Sequence, residues 1–99
     1  SKDTYLLSFI FNIKNFDPVI TRDCVLFKDL NSAVNEAKSI EKKMVSSNFK
    51  CEKTEDSISW NCKNETTGII GKIVVMYDLE ECKTFPNKMI KNIKTLLNK

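Results

Sequence analysis

The stretch from Phe49 to Tyr77, FKCEKTEDSISWNCKNETTGIIGKIVVMY, limits the fold more than any other part of the chain. It holds Cys51, Cys62, the single tryptophan and both glycines. Phe49 and Cys51 share one face of a first alternating segment, and Ile58, Trp60 and Cys62 share one face of a second. Thr54-Glu55-Asp56-Ser57 lies between them, a run of residues whose side chains bond their own backbone and so favour turns. Asn64 to Gly68 is a second turn, with Gly68 free to take positive φ. Ile69 to Tyr77 is then nearly continuous apolar sequence, broken only by Gly71 and Lys72. Such a run fits a strand buried on much of both faces. Three consecutive antiparallel strands are predicted.

If the first turn centres on Asp56-Ser57, Cys51 and Cys62 lie directly opposite each other. A Cys51–Cys62 disulfide follows, and by elimination Cys24–Cys82, which would tie the segment before the first helix to the region before the last. No C-x-x-C pair is present, which disfavours a structural zinc knuckle and excludes a thioredoxin-type motif. Four cysteines in so short a chain read as a disulfide framework in an oxidising compartment; the alternative is four reduced thiols in a cytosolic protein.

Either side of this stretch the periodicity changes. Tyr5, Leu7, Phe9, Phe11 and Ile13 alternate with Leu6, Ser8, Ile10, Asn12 and Lys14, which predicts a strand with one strongly apolar face. Asn15-Phe16-Asp17-Pro18 ends it. Val19 to Phe27 is ambiguous, with a short strand at Cys24 to Phe27. Leu30, Ala33, Val34, Ala37, Ile40, Met44 and Val45 recur at helical spacing behind an Asp29 N-cap, and Asn48 is placed to take the left-handed cap. Asp78 to Thr84 reads as a polar loop, and Pro86 as the start of a last helix. That helix carries Met89, Ile90, Ile93, Leu96 and Leu97 on one side and Lys88, Lys91, Lys94 and Lys99 on the other.

The predicted class is α+β in a single domain over residues 1–99. An antiparallel sheet of about four strands, in the order β-(β)-α-β-β-β-α, carries both helices on one face, with the face of Phe9, Phe11 and Trp60 as the receiver. About 60–65% of the unfolded chain's surface is buried at this size, so the core is thin and the disulfides matter to it.

Catalytic equipment is sparse. There is no histidine, which removes Ser-His-Asp and Cys-His chemistry, and both phosphate-loop patterns are missing. Gly68 to Lys72 is a turn followed by strand, not a nucleotide loop. The adjacent carboxylates Glu55-Asp56 and Glu80-Glu81 read as solvated pairs. No metal or cofactor site is expected, and the chain reads as a non-enzyme. Asn64-Glu65-Thr66 matches a glycosylation acceptor. No apolar run is long enough to span a membrane. The start at Ser1 fits a secreted or periplasmic mature form after signal-peptide removal.

The leading expectation is therefore a small exported, disulfide-bonded protein-binding module of inhibitor or immunity type. Its contact candidates are Lys53, Glu55 and Asp56 in one loop and Asp78, Glu80 and Glu81 in the other. The alternative is a cytosolic viral or mobile-element protein that meets nucleic acid, or a nucleic-acid enzyme, through the basic last helix. A net charge of +3 with Arg22 as the sole arginine gives that alternative a weak electrostatic basis.

Overall fold

The computed structural model describes residues 2–98; Ser1, and Lys99 of the predicted basic helix face, lie outside the described residues. Seven elements follow in order: β1 (Thr4–Asn12), β2 (Val19–Phe27), α1 (Leu30–Ser46), β3 (Lys50–Lys53), β4 (Ile58–Asn64), β5 (Ile69–Met76) and α2 (Leu79–Leu97). The α+β class and the element order are as predicted. The sheet has five antiparallel strands rather than about four, in the order β2-β1-β5-β4-β3. The added length is in β2, which spans all of Val19–Phe27.

The reason β2 escapes a pattern reading lies in its register. Leu6 faces Val25, Ser8 faces Arg22 and Phe9 faces Ile20, so β2 carries an extra residue in each interval. These are β-bulges, and each one reverses the side-chain alternation beyond it. Cys24 sits in one of them with φ +50°, and Thr21 fills the other, its hydroxyl bonded to the Ser8 hydroxyl at 2.6 Å and to the Ser8 carbonyl at 3.0 Å.

Both central strands are apolar on two sides, and this decides where the helices go. Leu6, Ile73 and Val75 join Trp60 and Cys62 under Ala33, Ala37 and Ile40 of α1. Leu7, Phe9, Phe11 and Val74 meet Cys82 and Ile90 of α2 on the other side. The helices thus cover opposite faces, which corrects the expectation of one shared face. Phe9 and Phe11 belong to the α2 side and Trp60 to the α1 side, so no single face receives all three.

Helix α1 has the predicted ends. The Asp29 carboxylate accepts from the Ser32 backbone N–H at 2.8 Å, and Asn48 takes φ +71° just past the C-terminus. Its Met44 methyl occupies the space that a Cβ on Gly71 would need, so glycine there lets α1 settle onto β5. Val45, placed on the buried stripe from spacing, is exposed.

Helix α2 starts at Leu79, seven residues ahead of the predicted start at Pro86. Asp78 caps it, accepting from the Glu80 N–H at 3.2 Å, and Glu80 and Glu81 occupy the first turn, where the helix dipole favours anions. A proline inside a helix costs about 3 kcal/mol relative to alanine. The cost is met here by tertiary anchoring: Pro86 itself is buried, and Cys82 is bridged to Cys24. At the far end Leu96 and Leu97 are exposed, so the apolar stripe of α2 outruns the core beneath it.

Both predicted disulfides are present, and there is no free cysteine among the described residues. Cys51 and Cys62 are direct cross-strand partners, as the hairpin geometry required. Each half of the core contains one bridge: Cys51–Cys62 on the α1 side and Cys24–Cys82 on the α2 side. They close sequence separations of 11 and 58 residues. Chain entropy puts the loss on opening them at about 3 and about 4 kcal/mol respectively. Paired replacement by alanine is expected to reproduce that ranking in urea melts. Equal losses would show that packing around the sulfurs, not loop closure, sets their contribution.

Candidate functional site

The β3–β4 hairpin ends in a turn held by its own side chains. Thr54 Oγ lies 2.9 Å from the Ser57 hydroxyl and 2.6 Å from the Ser59 hydroxyl, and Ser57 and Ser59 are 2.8 Å apart. Lys53 Nζ donates to the Thr54 carbonyl at 2.8 Å and the Ser57 carbonyl at 2.6 Å, and lies over the Trp60 ring at 5.9 Å. Lys53, read from sequence as a contact residue, is therefore a clamp across the turn. Glu55 and Asp56 are left exposed at the tip.

Beneath the turn lies a group that the sequence reading passed over. Lys72 of β5 is only 7% exposed. Its ammonium donates to Ser59 Oγ at 3.0 Å and to Asn61 Oδ1 at 2.8 Å, and approaches the Phe85 ring at 5.9 Å. It makes no ion pair among the described residues. Burial lowers its pKa from the ordinary 10.5, and the negative charge of Asp56 partly opposes that shift. The sequence signal was a lone lysine inside an apolar strand; the register sets it opposite Asn61 and diagonal to Ser59.

An amine beside a serine hydroxyl has the elements of a base and nucleophile pair. The geometry here points elsewhere. Ser59 is 1% exposed, and its hydroxyl is already engaged by Thr54, Ser57 and Lys72. Such a connected network rigidifies the hairpin base, since each member polarises the next.

The predicted loops lie at the same end of the sheet. Ile58, at the start of β4, pairs with Val75, near the end of β5, so the tip bearing Glu55 and Asp56 stands at the same end as Asp78. Asp78, Glu80 and Glu81 are not a free loop: the first is the helix cap and the others its first turn, and Glu80 lies 4.0 Å from Lys83. Asp3 and Asp29 flank β1 and α1 at this end as well. Lys50 and Lys63 pair at the opposite end, near the C-termini of α1 and α2, where Lys94 lies over the Phe16 ring at 5.4 Å. Carboxylates thus outnumber lysines at the first end, where Lys2 lies over Tyr77, Lys28 meets Asp3, Lys53 spans the turn and Lys83 neighbours Glu80, and lysines gather at the other.

The Asn64 side chain, in the glycosylation acceptor pattern, is buried and accepts from the Thr66 and Thr67 N–H groups, which fixes the turn before β5. Among the described residues no three acidic or thiol groups converge as a metal site, and no helix is long and apolar enough to cross a membrane. Comparison with known proteins finds no matching family model, curated protein or solved structure.

The folded state holds the Lys72 proton less firmly than the unfolded chain does. The burial penalty is therefore full at neutral pH, and it is relieved as pH rises through the lowered folded value toward 10.5. Wild-type stability measured against Lys72→Met should increase between about pH 7 and about pH 10 in urea melts. A gap that stays constant with pH would mean that Lys72 ionisation is not linked to folding.

Proposed function

We propose that this chain is an exported binding protein that works by covering a basic site on another protein, in the manner of an inhibitor or immunity protein, and that it is not an enzyme. The observation that carries this reading is the hairpin tip. Glu55 and Asp56 project from a turn whose Thr54 and Ser57 carbonyls already accept from the Lys53 ammonium, the Ser57 carbonyl also from the Thr54 hydroxyl. A turn ordered before contact loses little conformational freedom on binding, and this favours affinity. Asp78 and the first turn of α2 stand at the same end and extend the acidic surface.

Two disulfides with no free thiol among the described residues support an oxidising compartment. They count against the cytosolic nucleic-acid reading, which rests on Lys88, Lys91 and Lys94 of α2.

The test uses the intact protein as bait in the secreted or periplasmic fraction of its source, beside the Glu55→Lys/Asp56→Lys variant. Wild type should retain a protein partner that the variant loses at least roughly tenfold, with the variant's fold checked by circular dichroism. A partner held equally by both would remove the tip from the interface. Thiol alkylation followed by mass measurement checks the compartment: the native protein should take no label, and all four cysteines should label after reduction. Four reactive thiols in protein isolated from its source would overturn the exported reading.

A further inference from the structure

Five of the nine large apolar side chains exposed among the described residues lie at the end of the sheet opposite the hairpin tip. Ile13 and Val19 flank the β1–β2 loop, Val45 is in the last turn of α1, and Leu96 and Leu97 close α2. Their exposures run from 39% to 67%. The segments that carry them are joined. The Ile13 N–H donates to the Gly68 carbonyl at 3.1 Å, which ties the β1–β2 loop to the β4–β5 turn. Phe16 in that loop stacks with Phe11 at 6.1 Å and lies under Lys94 at 5.4 Å, which seats the end of α2 beside it. Met44, next to Val45, reaches Gly71 near the start of β5.

The same segments carry lysines. Ile13 precedes Lys14, Val45 lies two residues after Lys43, and Leu97 lies one turn after Lys94. Lys50 and Lys63 add two more charges from the paired ends of β3 and β4. All five lysines are exposed, and none makes an ion pair among the described residues. Asp17 and Glu65 are the carboxylates of the two turns at this end, so positive charge is in excess there. We propose that this end of the molecule docks on a lipid bilayer with anionic headgroups. The lysines meet the headgroup phosphates, and Ile13, Val19, Val45, Leu96 and Leu97 reach toward the acyl boundary between them. Lysine beside exposed aliphatic side chains is the composition of surfaces that lie in a membrane interface. Long lysine stems let the ammonium stay among the headgroups while the neighbouring apolar group goes deeper.

Nucleic acid fits this end less well. Phosphate and base recognition favours arginine and exposed aromatic rings, whereas the charges here are all lysine and Phe16 is half-buried. Exposed leucines add nothing to a phosphate contact, but they add directly to insertion at a bilayer surface. The opposite end also exposes apolar groups, Val25, Leu26 and Tyr77, but it has the excess of carboxylates, which an anionic surface repels. The orientation is therefore fixed. The lysine end faces the lipid, and the tip with Glu55 and Asp56 faces away from it, free for a protein partner. Contact of this kind is peripheral, in keeping with the lack of a long apolar helix among the described residues.

Flotation of the full chain with phosphatidylcholine vesicles, with and without phosphatidylglycerol, tests this. The protein should float with the anionic vesicles only, and added salt should weaken the association by screening the lysines. Lys14→Gln/Lys43→Gln should weaken binding at least roughly tenfold, since each lysine near an anionic surface contributes about fivefold. Leu96→Ser/Leu97→Ser leaves every charge in place and should also weaken it at least roughly tenfold. Leu26→Ser, exposed at the other end, should float as wild type does. All five substituted positions are exposed, and circular dichroism checks that each variant keeps the fold. The assay contains no partner protein, so its outcome is separate from that of the tip variant. No flotation with anionic vesicles at low salt, or equal flotation with both kinds, would overturn the proposal. So would a leucine variant that binds as wild type does, and equal retention of wild type and that variant on heparin or DNA would then identify the end as a general polyanion surface.

Discussion

Pairing of β1 with β5 is the constraint on which everything else rests. They are the first and last strands of the chain, and they stay in unbroken register from Tyr5 opposite Met76 to Asn12 opposite Ile69. Together they form the middle of the sheet, so each is covered above and below. Leu6 and Leu7 point to opposite sides, as do Ile73 and Val74, and all four are buried. A sheet with two apolar faces needs two covers, and α1 and α2 supply one each. The result is two thin half-cores rather than one thick one. Each holds its own disulfide, which compensates for the limited apolar burial available to so small a chain.

What could be read in the sequence follows from this geometry. Alternation identified β1, helical spacing with Asp29 and Asn48 identified α1, and the Cys51–Cys62 register followed from the hairpin. The side chosen by each helix was not available. Period-two alternation says which residues of a strand share a face, but it does not connect the faces of different strands. That is how Trp60 came to be grouped with Phe9 and Phe11. The length of β2 was hidden by its two bulges, which cancel the alternation used to recognise a strand. The start of α2 was hidden by Pro86, whose local preference is overridden by burial and by the bridge at Cys82.

The candidate site was legible to a similar degree. The polar tip announced itself as a turn, and the carboxylates on it could be named. The role of Lys53 could not, because the carbonyls it clamps become neighbours only when the turn closes. Lys72 was visible as an oddity in an apolar strand, but its meaning depends on Ser59 and Asn61 of β4 and on Phe85 of α2, which covers that face. Long-range partners of this sort separate a lysine that merely interrupts a strand from one that braces the base of a hairpin.

The excess of carboxylates at one end of the strands and of lysines at the other gives the molecule an electrical polarity along its length. A charged body approaching through dilute salt would exert a torque on it before any surfaces touched, turning one extremity forward and the other away. Such alignment acts over about a Debye length, roughly 8 Å at physiological ionic strength. A modest net charge of +3 therefore understates how strongly the orientation of an encounter is set in advance.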